Sequence, residues 1–204
     1  MGSSKKKVEK MLKNDIWIKE QAQKGMILPF EAQQVREAEN GSPVLSYGIS
    51  SFGYDIRLSP KDFRVFRRIP GAIIDPKSFN PAHLEPTQLR TDDTGSYFIL
   101  PAHSYGLGVA LERLEIPNNI TVICVGKSTY ARVGLIANIT PAEPMWRGFL
   151  TLEFSNSSNA DCKVYANEGV VQLLFLEGEP CSVDYEKRKG KYQDQRDRVT
   201  LPIV

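Results

Sequence analysis

Phe149-Leu150-Thr151-Leu152-Glu153-Phe154 is the stretch that decides the fold. Apolar residues at alternate positions are typical of a β-strand, because successive side chains point to opposite faces of a sheet. One face then carries the two leucines and Phe154, and the other carries Thr151 and Glu153. If the apolar face packs into a core, Glu153 either meets solvent or lines a pocket.

A second run, Val170–Leu176, is apolar on both faces except for Gln172. A strand of this kind is covered on both sides, either by a second sheet or by another subunit. We therefore expect oligomerisation to be one way of burying it.

Short apolar or alternating runs of the same kind recur from Ser46 onward, broken by Pro, Gly, Asn and Asp. They lie at Tyr54–Leu58, Phe63–Phe66, Tyr97–Leu100, Gly106–Leu111 and Ile120–Val125. Strands at such spacing predict a mainly β barrel or sandwich. Because no alternation of strand and helix is visible, a doubly wound nucleotide-binding fold is not expected.

The two ends of the chain differ from this pattern. Apolar residues at helical spacing from Val8 to Lys24 predict one short amphipathic N-terminal helix that packs and has no chemistry. The polar segment Glu31–Asn40 is expected to be a second short helix or a loop. The charged tail Glu186–Arg198 has little to bury, so we expect it to be a solvated end, mobile unless a ligand organises it.

Composition narrows the class of protein. The 204 residues are 41% hydrophobic and 25% charged with a net charge of +2, which indicates one globular domain and argues against a nucleic-acid binder. No apolar run is long enough for a membrane span, and the lysine-rich start lacks the apolar core of a signal peptide. The three cysteines form no C-x-x-C pair, so we expect a reducing cytoplasm and no zinc.

The segment Gly126–Arg132 is the strongest candidate for binding an anion. It follows an apolar strand and combines two cations, two hydroxyls and a glycine, which are the donors that phosphate oxygens prefer. It is not a Walker A loop, because Thr121 stands where the first glycine is required. An ordinary polar turn remains the alternative for this segment, and a merely solvated carboxylate remains the alternative for Glu153. His83 and His103 have no ligand-spaced partners and are expected to be surface or structural residues.

Several motifs together resemble the dCTP deaminase family from about Ser46 to the C-terminus. They are Ser51–Leu58, Gly126–Leu135, Asn138–Pro141, Trp146–Gly148, Thr151–Phe154, Tyr165–Gly169 with Gln172, and Gly190–Gln195. The resemblance implies a distorted β-barrel of the trimeric dUTPase type, a homotrimer with active sites at the subunit interfaces. It divides the chain into an N-terminal helix and polar connection (1–45), the barrel (46–185) and a tail that closes over the nucleotide (186–204).

The resemblance also implies the activity. The family hydrolyses dCTP to dUTP and ammonia, which feeds dUMP and dTTP synthesis, and it binds the triphosphate with Mg²⁺ and uses no zinc. The sequence lacks the Pro-Cys-x-x-Cys motif that zinc nucleobase deaminases need beside a His-x-Glu triplet, in keeping with that chemistry. Feedback inhibition by dTTP is a further expectation, as is the absence of nucleic-acid and membrane partners.

Site residues follow from the same motifs. Glu153 is the expected general acid/base, and Ser128 and Arg132 are expected to hold the water and the polar network at the base. The full set of expected catalytic and substrate-binding residues is Lys127, Ser128, Thr129, Tyr130, Ala131, Arg132, Thr151, Leu152, Glu153, Gln172, Tyr185, Lys191 and Gln195.

The loop Thr140–Gly148 departs from the pattern of dUTPases and of bifunctional deaminases, which carry an aspartate beside the sugar. Here the loop is shorter and lacks the aspartate, although Glu143 could replace its charge. We therefore expect a deaminase that stops at dUTP. The alternatives are a bifunctional dCTP deaminase and dUTP diphosphatase, a dUTPase, and a non-catalytic nucleotide-sensing trimer.

Overall fold

The structure is a computed structural model that describes residues 11–204, and it is built mainly from β-strands. The helices are α1 (Asp15–Ala22) and α2 (Ser128–Ala131), with a 3-10 turn at Pro81–His83. The strands are β1 (Ile27–Leu28), β2 (Gln34–Glu37), β3 (Pro43–Ser50), β4 (Gly53–Phe66), β5 (Leu84–Pro86), β6 (Arg90–Asp92), β7 (Gly95–Leu100), β8 (Tyr105–Glu115), β9 (Ile120–Gly126), β10 (Leu135–Ala137), β11 (Arg147–Asn156), β12 (Cys162–Tyr165) and β13 (Gly169–Glu177).

One large antiparallel sheet curls into a distorted barrel. Its strands run in the order β10-β11-β8-β4-β13-β9, and β1, β2, β3 and β5 pair at its margins. The two ends of the sheet approach each other, because a Cβ added at Gly126 in β9 would lie 3.3 Å from the Cβ of Ala137 in β10. A separate three-stranded sheet has the order β12-β7-β6. The predicted mainly β barrel is confirmed.

Strand β11 has the two faces that its sequence predicts. The side chains of Leu152 and Phe154 are fully buried and that of Leu150 is nearly so, whereas Thr151 and Glu153 are only partly buried. Strand β13 buries its inward side chains fully, but its outward face stays partly exposed within the chain. Cover for that face by another copy of the chain remains a prediction.

The predicted short N-terminal helix is confirmed, but its start and the structure of the polar segment after it differ from expectation. Helix α1 begins only at Asp15, because Asn14 accepts a hydrogen bond from Trp17 N at 3.2 Å and caps it. Leu12, expected within the helix, instead pairs with Leu176 of β13; residues 8–10 of the predicted helix lie outside the described residues. The polar segment that was expected to be a helix or a loop forms β2, because pairing with β3 satisfies its backbone groups.

The C-terminal tail also differs from expectation. It packs against the barrel instead of standing free, with Val199 buried beside Leu84 and Leu107. The indole N–H of Trp146 donates to the carbonyl of Tyr192 at 2.8 Å. These contacts could not be predicted from the composition of the tail, because they depend on partners elsewhere in the fold. Within residues 11–204, neither helix is long and apolar enough to cross a membrane.

A buried ion pair joins β4 to β8. The Glu112 side chain is fully buried, and its two oxygens accept from Arg57 Nε at 2.7 Å and from Arg57 N at 2.9 Å. We expect Glu112→Gln to lower the free energy of unfolding by roughly 3 kcal/mol, because the amide cannot satisfy both donors and leaves the guanidinium without its counter-charge. Urea unfolding at fixed protein concentration measures this change.

Glu115→Gln is the matched control for that prediction. Glu115 lies on the same strand and also pairs with an arginine, Arg113, at 3.1 Å, but its side chain is 60% exposed. We expect its stability to change little, because exposed pairs contribute little. Equal effects of the two substitutions would contradict the structural role of the buried pair.

Candidate active site

Glu153 extends from β11 into a cavity of about 760 Å³. Its strand neighbour across the β11–β8 pair is Leu107, and Tyr105 lies two residues earlier in β8 on the same face. Further residues of the wall come from the loop between β10 and β11 and from the tail. They include Ile139, Thr140, Glu143, Trp146, Tyr185, Tyr192 and Gln195.

The carboxyl of Glu153 is held where its charged form is disfavoured. Its Oε2 atom is buried and has no hydrogen-bond partner among the described residues. Burial raises the pKa of Glu153 to about 7. The neighbouring groups share this environment, since burial and the charge of Glu153 raise the pKa of the Cys124 thiol to about 12 and also raise that of Tyr105. A carboxyl of this kind can both accept and donate a proton near neutral pH.

Four of the expected site residues meet at this cavity: Thr151, Glu153, Tyr185 and Gln195. The Thr151 hydroxyl donates to Gln195 Oε1 at 3.0 Å, which ties the tail to the strand of Glu153. Tyr185 is held by its backbone N–H, which donates to the carbonyl of Pro144 at 3.1 Å. Leu152 points into the core and is fully buried, so only its backbone is available to a ligand.

A second polar cluster contains Lys127 and Gln172. The ammonium of Lys127 donates to Asp55 Oδ2 at 2.5 Å and to the Ser46 hydroxyl at 3.1 Å. Gln172 lies opposite Asp55 in the β13–β4 pair and donates to the Ser50 hydroxyl at 3.3 Å. Asp55 is buried, and its Oδ1 has no hydrogen-bond partner among residues 11–204. Lys127 therefore already has an anionic partner within the chain.

The other expected site residues of the segment Gly126–Arg132 form the short helix α2 and its C-terminal cap. Ser128, Thr129, Ala131 and Arg132 are at least partly exposed. Tyr130 is buried, and its hydroxyl accepts from the backbone N–H of Tyr165, so its side chain is structural.

None of residues 127–132 lines the Glu153 cavity. Lys191 is also exposed, is absent from the wall of the Glu153 cavity, and lines a surface pocket of the tail together with Arg196 and Arg198. The chain thus carries two separate groups of expected site residues.

Tyr105, Cys124 and Asp55 were not expected at the site. Tyr105 lines the cavity beside Glu153 because of strand pairing, and Cys124 lies near enough for the charge of Glu153 to raise its pKa, but the sequence does not specify either placement. Asp55 had a signal, because it lies within the apolar motif Ser51–Leu58, where a buried carboxylate needs a partner. Glu143, the possible charge replacement, lines the cavity and pairs with Arg188 at 3.2 Å.

Comparisons with known proteins agree on one family. Residues 12–178 match the family described as dCTP deaminase-like. The chain is 50% identical over 193 residues to a dCTP deaminase of Halorhodospira halophila, covering 94% of this chain and 98% of the relative. It is 49% identical to a dCTP deaminase of Alcanivorax borkumensis with the same coverage.

A solved structure supports the fold. The crystal structure of 2'-deoxycytidine 5'-triphosphate deaminase from Agrobacterium tumefaciens matches with a TM-score of 0.53 at 15% identity. The match covers 88% of this chain and 51% of that one. At this identity the likeness concerns the arrangement of the strands.

Proposed function

Since the chain belongs to the dCTP deaminase-like family, we propose that it hydrolyses dCTP to dUTP and ammonia, with Glu153 as the general acid/base. This proposal rests on the environment of the Glu153 carboxyl. Burial raises the pKa of this carboxyl to about 7, and its Oε2 atom has no hydrogen-bond partner within residues 11–204. In the cell the product would feed dUMP and dTTP synthesis in the cytoplasm.

The proposed reaction moves protons through one carboxyl. Ionised Glu153 takes a proton from water as the water oxygen bonds to C4 of cytosine, and it passes that proton to N3, which receives the electron pair of the C4–N3 double bond. Glu153 then carries the hydroxyl proton to the exocyclic amine. The bond between C4 and the exocyclic nitrogen breaks, ammonia leaves with the electron pair of that bond, and the C4 carbonyl of uracil forms.

The pH dependence of the rate follows from this role. In the free enzyme only ionised Glu153 can accept the proton of water, and its pKa is about 7. We therefore expect kcat/KM to fall as the pH drops below about 7 and to level off above it. A profile measured between about pH 5 and 9 tests this. A kcat/KM that is flat through neutrality would contradict the assignment.

Ser128 and Arg132 would come from a neighbouring copy in a homotrimer. They are at least partly exposed and lie outside the wall of the Glu153 cavity. Exposed apolar side chains lie on the strands that flank them, Ile123 and Val125 in β9 and Ile136 in β10. An exposed apolar surface of this kind favours contact with another subunit, which would complete each site.

Mixing two inactive variants tests the shared site. Glu153→Gln and Arg132→Ala should each be inactive as pure trimers. In trimers mixed at random, about a quarter of the sites would receive both native residues, so activity should return to that fraction. Ammonia release after unfolding and refolding the two variants together measures it. No recovery in mixed trimers would contradict sites that combine residues from two copies.

Mg²⁺ would enter with the triphosphate, whose oxygens supply most of its ligands. Asp55 fits such an ion, since its buried Oδ1 has no hydrogen-bond partner in the described part of the chain and carboxylate oxygens suit Mg²⁺. Lys127 at 2.5 Å from Asp55 Oδ2 would remain available to the phosphates through its other protons. The ion would neutralise phosphate charge and orient the chain of phosphates.

Product analysis separates the proposed deaminase from its alternatives. The loop Thr140–Gly148 lacks an aspartate, and the Glu143 carboxylate is already paired with Arg188. We therefore expect dCTP to give dUTP with no pyrophosphate. Accumulation of dUMP and pyrophosphate would show the bifunctional enzyme. Tight dCTP binding without ammonia release would show a nucleotide sensor, and a sigmoidal rate on adding dTTP would show feedback inhibition.

A further inference from the structure

The C-terminal strap, residues 184–204, contributes residues to the wall of the Glu153 cavity. Near its C-terminal end the strap is held against the barrel, because Thr200 N donates to the Thr151 hydroxyl at 3.1 Å and Val199 is buried. The strap therefore forms one wall of the cavity, and its position decides where Gln195 lies. The strap residues that line the cavity are Tyr185, Tyr192, Gln195, Thr200 and Pro202.

Arg147, the first residue of β11, is the centre of the charged contacts that hold this strap. Its Nε and Nη2 donate to the two oxygens of Asp194 at 2.7 and 3.1 Å. Its Nη1 donates to Glu186 at 2.9 Å. One guanidinium thus binds two acidic residues, Glu186 and Asp194, that lie eight positions apart in the strap. The pair with Asp194 has the two-pronged geometry that makes arginine contacts strong.

The backbone of Arg147 forms hydrogen bonds with the same part of the strap. Its N–H donates to Gln193 Oε1 at 3.1 Å, and its carbonyl accepts from Asp194 N at 2.9 Å. The next residue of the strap, Gln195, then reaches Thr151 beside Glu153. A shift of Asp194 would therefore move Gln195 directly, because the two are adjacent in the chain.

Solvent limits what these ion pairs contribute to overall stability. The side chains of Glu186 and Asp194 are 49% and 58% exposed, and such pairs contribute little to global folding. The strap has few buried apolar residues, so local opening needs far less free energy than global unfolding. Contacts of this size are sufficient to set the balance between a docked and an open strap.

We propose that Arg147 is a positioning residue, which docks the strap through Asp194 and Glu186 so that Gln195 closes the nucleotide cavity. The role of the cavity rests on the proposed function, but the docking of the strap does not. In the proposed reaction Arg147 touches no reacting atom. Its effect passes through Asp194 to Gln195.

Limited proteolysis of Arg147→Ala tests the docking without any nucleotide. The strap contains several trypsin sites, among them Lys191, Arg196 and Arg198. We expect trypsin to remove the strap about tenfold faster than in the native protein, because the docked form loses its two-pronged contact. Fluorescence of Trp146, which donates to the strap, should change in parallel. Cleavage at the native rate would overturn the proposal.

Arg113→Ala is the matched control. Arg113 pairs with Glu115 at 3.1 Å on the barrel, is exposed to a similar degree, and forms no ion pair with the strap within the described chain. Its cleavage should remain at the native rate. Accelerated cleavage in this control would overturn the assignment to Arg147, because it would show a general effect of losing a surface arginine.

A charge exchange and kinetics complete the test. With chymotrypsin, which cleaves after Tyr192 and does not cleave after arginine, Arg147→Asp combined with Asp194→Arg should be cleaved more slowly than Arg147→Asp alone, and no slowing would overturn the ion pair as the cause. With dCTP, Arg147→Ala should raise KM about tenfold and change kcat less than about threefold. A fall in kcat alone would overturn positioning of the nucleotide cavity. Faster cleavage with no deaminase activity in the native protein would overturn the proposed function and leave strap docking supported.

Discussion

Glu153→Gln is expected to reduce ammonia release from dCTP by at least about 10³-fold, because Glu143, the other carboxylate that lines the described cavity, is already paired with Arg188. Binding of dCTP should be largely retained, since glutamine preserves the size and the hydrogen-bonding capacity of the side chain. Steady-state ammonia release and equilibrium dCTP binding measure the two effects. Turnover within about tenfold of native would exclude Glu153 as the proton shuttle.

Stability provides the control for this variant. Burial raises the pKa of Glu153 from 4.5 to about 7, so the folded protein holds a proton that the unfolded chain has released between those values. The native protein therefore loses stability as the pH rises through this window, and Glu153→Gln does not. At pH 8 the variant should be more stable by up to roughly 3 kcal/mol. A less stable variant would mean that lost activity reports misfolding.

Gly148→Ala should have the second largest effect, through the strap. Gly148 has φ of +138°, and an added Cβ would lie 2.7 Å from Gln195 N and 2.9 Å from Gln195 O. These are backbone atoms that cannot turn aside, so the strap must move away from β11. We expect kcat/KM for dCTP to fall on the order of 10²-fold, as displacement of a substrate-contacting group by about 1 Å can cause.

Gly178→Ala is the matched control for this substitution. A Cβ at Gly178 would meet no atom within 4 Å, and the residue lies just after β13, away from the strap. It should leave kcat/KM and trypsin cleavage of the strap unchanged. If Gly148→Ala retains a native kcat/KM with a native unfolding midpoint, the close approach of Gln195 to β11 has no part in activity.

The strands of the barrel were predictable because their signal is local. Alternation in Phe149–Phe154 indicates which side chains face the core, and the same alternation assigns Glu153 to the opposite face. The start of α1 was missed because Asn14 caps the helix, while the apolar Met11 and Leu12 suggested an earlier start. Strand β2 was missed because its polar sequence becomes a strand only by pairing with β3.

Long-range contacts account for what the sequence did not reveal at the site. Tyr105 reaches Glu153 because β8 pairs with β11 in one register, and no local pattern specifies that register. The strap was expected to be mobile because Glu186–Arg198 is charged, yet Arg147 and Trp146 supply partners for it. Composition describes what a segment can bury by itself, whereas docking depends on the surface it meets.

The most direct test of the central claim is a parallel measurement of dUTP and ammonia formed by the native protein from dCTP, with Mg²⁺ present and a zinc chelator added. We expect the native protein to form the two products in equal amounts and at the same rate, and Glu153→Gln to form neither. Absence of dUTP from the native reaction, or continued formation of both products by Glu153→Gln, would contradict it.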